Sequence, residues 1–416
     1  MQYFLNNNVE YVSGKKYSAL YDFNNKQIFK LNGDGVKALM AGLHDSYIDV
    51  PEGATIEFLN NLTAQGLLTM SPTSKNIGIE KNDIKMIYAW LELTEKCNMN
   101  CIHCYGEFGH PSPSIKSSYL HVSDWKRIID NLALAELKNI QFIGGEPLLY
   151  PHFKEILAYS HSKNMSVDMF TNGYFLNEEI ISALKKYNAT VRVSLYGHTP
   201  ELHDAITHCP GSFERIDCAL DSLKTNNVNA YIAVVIMSEN EKYFDDIKNY
   251  VTNKGYLFSY DVIRPVSHGA QSQHCISNSE LLVSRYHTCP DFYISEEHFK
   301  KSREWNPCWF GKVAITSVGD VLPCTFSREL VCGNVLKDSQ ESIQNNLLHY
   351  WSLNKDKIEH CRECEYRYAC HDCRPISLSI TGSLHSKYPR CCYDPETGQW
   401  NSVESTALQN GELTTQ

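Results

Sequence analysis

The sequence lacks cysteine before Cys97, lacks any long apolar run, and lacks an excess of positive charge. Without an uninterrupted apolar stretch of about twenty residues, no membrane-spanning helix is expected. The formal net charge of -10 argues against general nucleic-acid binding, which requires a basic surface. We therefore expect neither a membrane nor a nucleic acid among the partners of this chain.

The first eight residues contain neither the basic region nor the apolar region of a secretory signal, so we expect a cytoplasmic location. The chain nevertheless has 16 cysteines, most of them in its C-terminal part. In a reducing compartment, cysteines serve as metal ligands or catalysts more often than as disulfides. The composition therefore indicates a cytoplasmic protein that is rich in bound metal.

Three of these cysteines, Cys97, Cys101 and Cys104, follow an apolar run at C-x3-C-x2-C spacing. The run, residues 89–93, is typical of a buried strand that ends in a loop. Closely spaced cysteines supply the thiolates of iron–sulfur cubanes. Because the next cysteine, Cys209, is distant in sequence, three thiolates would leave one iron open for chemistry. A zinc knuckle is the alternative, although zinc sites usually pair C-x-x-C units.

Strands and helices alternate between about residues 86 and 290, which predicts a parallel α/β sheet. Ser123 is a candidate N-cap for an amphipathic helix that runs from Val122 to Leu137. Six β/α units are too few for a closed eight-stranded barrel, so a partial (β/α)6 barrel is expected. The six strands are predicted near residues 87–93, 139–143, 167–171, 191–195, 230–236 and 258–263.

Polar and glycine residues follow several predicted strands at the edge where parallel sheets carry their sites. Gly144, Gly145 and Glu146 follow the second strand: the glycines permit close backbone approach and the carboxylate can accept from an ammonium group. Asn172 and Ser194, after the third and fourth strands, offer an amide and a hydroxyl group suited to a ribose. Each signal is weak alone, and their common location makes the combination specific.

Together, these motifs resemble the radical S-adenosylmethionine (SAM) enzymes over about residues 86–265. The resemblance implies that Cys97, Cys101 and Cys104 hold a [4Fe–4S] cluster whose open iron binds SAM. It also implies that Gly144, Gly145 and Glu146 contact the methionine amino group of SAM. Asn172 and Ser194 would contact the ribose and neighbouring groups. His103 stands where the family often has an aromatic residue near the adenine; the alternative is an ordinary exposed loop histidine.

The C-terminal third carries a second cysteine pattern, in which Cys308, Gly319 and Cys324 give C-x10-G-x4-C, residues 361–373 give C-x2-C-x5-C-x2-C, and Cys391-Cys392 come last. This pattern resembles the SPASM extension of radical enzymes that modify ribosomally made peptides and proteins. That resemblance implies two auxiliary [4Fe–4S] clusters, hence three in all. The inner cluster would use Cys308, Cys324 and Cys373, with Cys289, Cys332 or no cysteine as its fourth ligand. Only two residues separate Cys370 from Cys373, one fewer than usual. Zinc ribbons are the alternative. The outer cluster would use Cys361, Cys364, Cys370 and either Cys391 or Cys392.

Residues 1–70 form the first predicted domain, with short strands followed by two helices in a winged-helix-like order. Asn32 can cap the first helix, which runs towards Leu43. Ile56, Leu59 and Leu62 share one stripe of the second helix. The order resembles the recognition element of peptide-modifying enzymes, which binds the leader of a precursor as an added strand. A structural cap is the alternative.

The predicted order of domains continues with a linker at 71–85, the barrel at 86–290, the SPASM domain at 291–400 and a disordered tail at 401–416. We expect a radical SAM enzyme that forms a thioether or carbon–carbon crosslink in a precursor peptide. Its external electron donor would be a flavodoxin or ferredoxin. The alternatives are an enzyme of the sulfatase-maturating type, which oxidises a cysteine or serine in a protein, and a non-catalytic electron carrier. No separate catalytic side chain is singled out.

Overall fold

The computed structural model describes residues 2–33, 48–49, 56–71, 85–109, 119–270, 272–277 and 292–401. Four predictions lie outside these residues: the helix towards Leu43, nearly all of the linker, nearly all of the tail and the ligand role of Cys289. Contacts divide the chain into two compact units. One unit comprises Met1–Asp83, Tyr286–Cys308 and Ser352–Gln416, and the other Ile84–Arg285 and Trp309–Trp351.

The described strands, numbered along the chain, are β1 Gln2–Leu5, β2 Val9–Ser13, β3 Ser18–Asp22, β4 Gln27–Leu31, β5 Ile48–Asp49, β6 Leu68–Thr69, β7 Tyr88–Glu92, β8 Asn139–Ile143, β9 Ser166–Thr171, β10 Thr190–Ser194, β11 Ala230–Ile236, β12 Phe258–Val262, β13 Lys312–Ile315, β14 Asp320–Leu322, β15 Gly333–Asn334, β16 Tyr393–Asp394 and β17 Gln399–Trp400.

The described α-helices are α1 Ile56–Ala64, α2 Val122–Leu134, α3 Phe153–Ser162, α4 Glu178–Lys186, α5 Pro200–Thr207, α6 Ser212–Thr225, α7 Phe244–Asn253, α8 Glu296–Glu304, α9 Gln340–Trp351 and α10 Arg374–Thr381. Short 3₁₀ turns cover Pro147–Leu149, Glu241–Tyr243, Ser267–Ala270, Ser272–His274, Lys355–Lys357, Cys361–Glu363 and Arg367–Ala369.

The unit that contains β7 to β15 is built on one sheet of order β12-β11-β10-β9-β8-β7-β13-β14-β15. Strands β7 to β12 are parallel neighbours in chain order, which confirms the six predicted strands and the α/β fold class. Their buried apolar residues, such as Ile140, Phe142 and Val193, explain the continuous apolar runs in the sequence.

Strand β13 pairs in parallel with β7, and β14 and β15 extend the same sheet in antiparallel fashion. These strands lie within the predicted C-terminal domain, and the structure pairs them with the sheet of the barrel. Strand β13 covers the backbone N–H and C=O groups on the free side of β7, which would otherwise be an exposed edge.

Helix caps explain where several helices begin. Asn177 caps α4 by accepting a 3.0 Å hydrogen bond from the backbone of Ile180. The predicted cap of α2, Ser123, is wrong by two residues, because the N-cap is His121. The carboxylate of Asp124 accepts from the backbone N–H of His121 at 3.0 Å, and this reciprocal contact fixes the cap two residues before Ser123. Within the described residues, no helix is long and apolar enough to cross a bilayer.

In the other unit, β2, β3 and β4 form an antiparallel meander, and β1 lies between β5 and β6 in a second small sheet. Their shared core includes Tyr3, Leu20, Leu59 and Leu62. Leu59 and Leu62 are buried as predicted, but Ile56 is 53% exposed, so the apolar stripe of α1 is shorter than expected.

The opposite face of the meander packs against residues far along the chain. Ala19 and Tyr21 share a core cluster with Phe299, Tyr368 and others. The rings of Tyr21 and Phe299 are 4.9 Å apart, and the Tyr21 hydroxyl donates to the Glu365 carbonyl at 2.9 Å. The N-terminal strands therefore belong to the same compact unit as the C-terminal cysteines, and the predicted domain of residues 1–70 stays a prediction.

Candidate functional site

The cysteine loop after β7, residues Cys97–Cys104, is held by hydrogen bonds to the end of helix α5. The backbone N–H of Asn100 donates to Thr207 at 2.9 Å, and that of Ile102 donates to Ile206 at 3.1 Å. These bonds satisfy the last carbonyl groups of a helix, which have no partner within the helix itself. The loop is therefore placed at the C-terminal edge of the sheet, where the prediction expected it.

The three thiols of this loop lie within electrostatic range of one another. Burial raises the pKa of Cys97 to about 12 and that of Cys101 well above its usual value, and the neighbouring thiols of the loop raise both further. Burial also raises the pKa of Cys104, although backbone N–H groups of the following turn oppose it. Buried, adjacent thiols lose their protons only when a cation compensates them, so this donor set fits an iron–sulfur cluster.

In the described part of the chain, no three His, Cys, Asp or Glu side chains converge tightly enough to hold one ion. A cubane differs from a mononuclear zinc site because each thiolate binds a different iron.

The Gly144-Gly145 pair brings the loop after β8 into contact with the cysteine loop. The N–H of Gly145 donates to Thr94, and the N–H of Glu146 donates to Lys96, both at 2.8 Å. A Cβ on Gly144 would lie 2.3 Å from the Thr94 carbonyl oxygen, and a Cβ on Gly145 would lie 2.3 Å from that of Lys96. Close backbone approach is confirmed, but its partner in this structure is the segment that carries the cysteines.

Glu146 is fully buried and joins three segments of the chain. Its carboxylate accepts from the hydroxyl of Thr171 and the N–H of Asn172, both at 2.8 Å, and from the N–H of Leu148 at 3.1 Å. Burial raises the pKa of Glu146 to about 7 even though these three donors oppose the shift. Its primary contacts are thus to the protein, and its contact with the amino group of SAM stays a prediction.

Asn172 links the end of β9 to the cysteine loop. Its Nδ2 donates to Asn98 at 2.8 Å and lies 3.9 Å from the sulfur of Cys97. Ser194 ends β10, and its hydroxyl lies beside that of Tyr196. The structure thus places Asn172 beside the thiol of Cys97, and Ser194 beside Tyr196, which lies within electrostatic range of Cys101. Their ribose contacts remain predictions.

Sequence reasoning assigned no role to Tyr196 and His203, which enclose the cysteine loop. The ring of Tyr196 meets that of His103 edge-on at 4.4 Å and stacks on His203 at 5.6 Å. Burial, followed by the Cys101 thiolate, raises the pKa of Tyr196. Tyr196 lies two residues after Ser194 at the end of the fourth predicted strand, so its position was a usable signal. His203 carried no comparable signal.

His103 is shielded by this aromatic wall. Burial lowers its pKa to about 3, and the neighbouring His274 and His203 lower it further. Its Nδ1 has no hydrogen-bond partner among the described residues. A histidine held neutral between rings can pack against a planar ligand, so the alternative of an ordinary exposed loop residue is not what the structure shows.

The predicted outer set of cysteines lies within one unit of the structure. Burial raises the pKa values of Cys361, Cys364 and Cys391, and the Cys370 thiol raises each of them further. Cys391 reaches a pKa of about 12 and responds to Cys370 and Cys361. The structure thus brings Cys391 to the set. The adjacent Cys392 is buried, with an exposed fraction of 4%.

The predicted inner set is divided between the two units. Cys324 lies in the unit of the barrel sheet and is buried, whereas Cys308 and Cys373 belong to the other unit. Cys332 is also buried, and burial alone raises its pKa to about 12. The inner cluster and its fourth ligand therefore stay predictions.

Two family models match the chain. Residues 91–251 match the Radical SAM superfamily, and residues 308–365 match the iron–sulfur cluster-binding domain SPASM. The chain therefore has a radical SAM fold, built on a parallel α/β sheet, together with a cysteine-rich SPASM domain.

Similar proteins include the antilisterial bacteriocin subtilosin biosynthesis protein AlbA of Bacillus subtilis, at 28% identity over 73% of this chain and 69% of AlbA. The AdoMet-dependent heme synthase of Methanosarcina barkeri is 26% identical over 74% of this chain and 97% of its own length. The mycofactocin maturase MftC of Mycobacterium tuberculosis is 28% identical over 79% of this chain and 86% of MftC.

Two solved structures show the same fold. Streptococcus suis SuiB bound to the precursor peptide SuiA has a TM-score of 0.57 at 14% identity and covers 93% of this chain and 98% of SuiB. The structure of anSMEcpe with bound AdoMet and Cp18Cys peptide has a TM-score of 0.56 at 17% identity, over 79% of this chain and 97% of anSMEcpe.

Proposed function

We propose that this chain is a radical SAM maturase that forms a thioether or carbon–carbon crosslink in a ribosomally made precursor peptide. The observation that carries the proposal is the meeting of three buried thiols, Cys97, Cys101 and Cys104, with the glycine loop after β8 at one edge of a parallel sheet. When bound, a reduced cluster and SAM supply a 5′-deoxyadenosyl radical that removes hydrogen from the substrate.

The residues of this chain provide position and shielding. The hydrogen bonds from Gly145 and Glu146 fix the cysteine loop against the end of β8. The contacts of Glu146 with Thr171 and Asn172 then hold the end of β9 against the loop after β8. The rings of His103 and Tyr196 close one side of the site and keep water away from it, which protects a reactive species.

The names of similar proteins support a peptide substrate. AlbA serves bacteriocin biosynthesis, MftC is a maturase, and SuiB has been crystallised with a precursor peptide. The heme synthase has comparable identity with a different product, so similarity of the barrel alone does not select the substrate. A leader-binding surface would make that selection.

Strand β4 is the candidate leader-binding edge. It pairs with β3 on one side, and among the described residues no strand pairs with its other side. Gln27 and Lys30 are exposed along it, so a peptide could approach without displacing the core. We propose that the leader adds there as a further strand through backbone hydrogen bonds. The electron donor would be an external flavodoxin or ferredoxin.

The central assignment is tested by SAM cleavage and iron content. Three cubanes imply about twelve irons per chain, by the four-iron count of each cluster. Replacing Cys97, Cys101 and Cys104 together with alanine should remove about four of them and abolish 5′-deoxyadenosine formation under reductant. Cys218→Ala, at an exposed thiol on α6, is the matched control and should change neither.

Two outcomes would contradict the assignment. Retention of SAM cleavage by the triple variant would refute the cluster site, and absence of cleavage in the native, reconstituted protein would favour an electron carrier. If cleavage is present, incubation with a precursor peptide should remove a pair of hydrogen atoms from the peptide, as measured by mass spectrometry.

A further inference from the structure

A buried group of charges lies near the C-terminal cysteines, in the same unit. Lys355, Asp372 and Arg374 all have side chains with an exposed fraction of 2% or less. Lys355 Nζ and Arg374 both contact Asp372 Oδ2, the latter at 2.6 Å. Two cations therefore share one carboxylate, which leaves an excess positive charge in the interior.

The two cations differ in their remaining contacts. Arg374 donates through Nη1 to the carbonyl oxygens of Leu384 and Ser386, both at 2.8 Å, so the backbone satisfies one of its two terminal nitrogens. Beyond its ion pair, Lys355 Nζ has no hydrogen-bond partner in the part of the chain that the structure describes. A buried ammonium group is costly without further compensation, so the surroundings of Lys355 must supply negative charge.

The surrounding groups that can do so are the thiols of the outer set. Burial acts to lower the pKa of Lys355, yet Asp372 and then Cys370 and Cys361 raise it above its usual value. Conversely, burial raises the pKa of Cys361, and Lys355 is the strongest influence that opposes it. Lys355 Nζ contacts the carboxylate of Asp372, two residues after Cys370, which places the ammonium group on the side of the set that holds Cys370.

Asp372 and Arg374 also act on Cys361, each less strongly than Lys355. The buried Glu365 acts on Cys364, and Lys387 acts on Cys391. Lys355 is therefore the cation with the strongest effect on Cys361. Four thiolates around a cubane leave the centre negatively charged, and reduction adds one further electron, so a fixed cation nearby favours the reduced form.

We propose that Lys355 is the counter-charge of the outer auxiliary cluster and raises its reduction potential. This inference rests on the proposed binding of that cluster by Cys361, Cys364, Cys370 and Cys391. It makes Lys355 a positioning residue that acts through the cluster, with no contact to substrate required. The Asp372–Arg374 pair holds the lysine in place and limits the net charge.

The test is a redox titration of the reconstituted full-length protein, followed by electron paramagnetic resonance. The signal of the outer cluster is the one that Cys391→Ala removes. In Lys355→Met, the ratio of reduced to oxidised cluster at fixed potential should fall about tenfold, equivalent to about 59 mV for one electron. Lys355→Arg should retain the native ratio. Lys357→Met is the matched control, since Lys357 is exposed in the same turn.

Asp372→Asn separates a charge effect from damage to the fold. Removing this carboxylate increases the net positive charge, so the ratio should shift in the opposite direction from Lys355→Met. Loss of the cluster in Lys355→Met but not in Lys355→Arg would also support the counter-charge. The inference is overturned if all variants titrate like the native protein, or if both Lys355 variants lose the cluster.

The iron content distinguishes failure of this inference from failure of the function on which it rests. A native protein with zinc in place of iron at these thiols would refute both. A native protein with the full iron content, and with a Lys355→Met titration that matches the native one, would refute only the role of Lys355.

Discussion

The backbone N–H of Glu146 donates a 2.8 Å hydrogen bond to the carbonyl oxygen of Lys96, immediately before Cys97. This bond joins the loop after β8 to the segment that positions the first thiol. The preceding residue must be glycine, because a Cβ at position 145 would lie 2.3 Å from the same carbonyl oxygen. The glycine motif therefore acts on the cysteine loop before any ligand is considered.

Gly145→Ala should displace the cysteine loop and destabilise the protein. Overpacking a tightly packed site usually costs about 1–3 kcal/mol of unfolding free energy. We expect reduced iron content, and we expect SAM cleavage to be lost even under conditions in which the variant remains folded. Gly33→Ala is the control, because a Cβ there would meet none of the described residues within 4 Å. Native iron content and cleavage in Gly145→Ala would show that the close approach is unimportant.

Cys391→Ala and Cys392→Ala form a matched pair at adjacent positions. Cys391 responds electrostatically to Cys370 and Cys361, so Cys391→Ala should lose the outer cluster and its iron. Cys392→Ala should keep the cluster and lose only a small buried group. Iron analysis and the visible absorption of the oxidised cluster measure the difference, and the reverse pattern would reassign the ligand. Cys332→Ala should leave all clusters unchanged, since burial alone accounts for its pKa.

Local signals in the sequence were sufficient for the strands of the barrel. The limits of β8 and β11 coincide with the predicted ones, because apolar runs bounded by polar residues define buried strands without reference to the rest of the chain. The thiols of the first loop were predictable for the same reason. Their spacing is local, and the adjacent strand fixes the edge at which they lie.

Long-range pairing was not predictable in this way. Nothing in Lys312–Ile315 indicates that β13 joins the sheet beside β7, because backbone pairing is independent of side-chain identity. The packing of Tyr21 on Phe299 was missed because it unites opposite ends of the chain. Cys391 and Cys392 have the same chemistry, so only the direction of each side chain separates them.

His203 should make the stability of the barrel unit dependent on pH. Its ring is fully buried and accepts the Tyr196 N–H at 3.1 Å, and burial lowers its pKa from 6.5 to about 4. Between pH 6.5 and about 4, the imidazole of His203 therefore binds a proton in the unfolded chain but not in the folded chain. Stability is full above 6.5 and falls as the pH decreases towards 4, by roughly 3 kcal/mol.

His203→Asn keeps an acceptor for Tyr196 but cannot titrate. Its denaturant midpoint should fall less than that of the native protein when the pH is lowered from about 7 to about 5, the interval in which His203 titrates on unfolding. His161→Asn, at an exposed histidine of α3, should retain the native pH dependence. Equal slopes for native protein and His203→Asn would rule out this histidine as the source.

Proline substitutions should locate leader binding on β4 without removing the strands that pack on Phe299. Successive N–H groups of an edge strand point alternately to its partner and to the open side. Proline removes the backbone N–H at its position. Of Phe29→Pro and Lys30→Pro, one should therefore lose a hydrogen bond to β3, and the other should lose only an N–H group on the open edge. The variant that retains the native circular dichroism should bind its precursor about tenfold more weakly, from the loss of one or two backbone hydrogen bonds. SAM cleavage without peptide should be unchanged, and Lys30→Ala should bind normally. Native affinity in a folded proline variant would move the leader away from this edge.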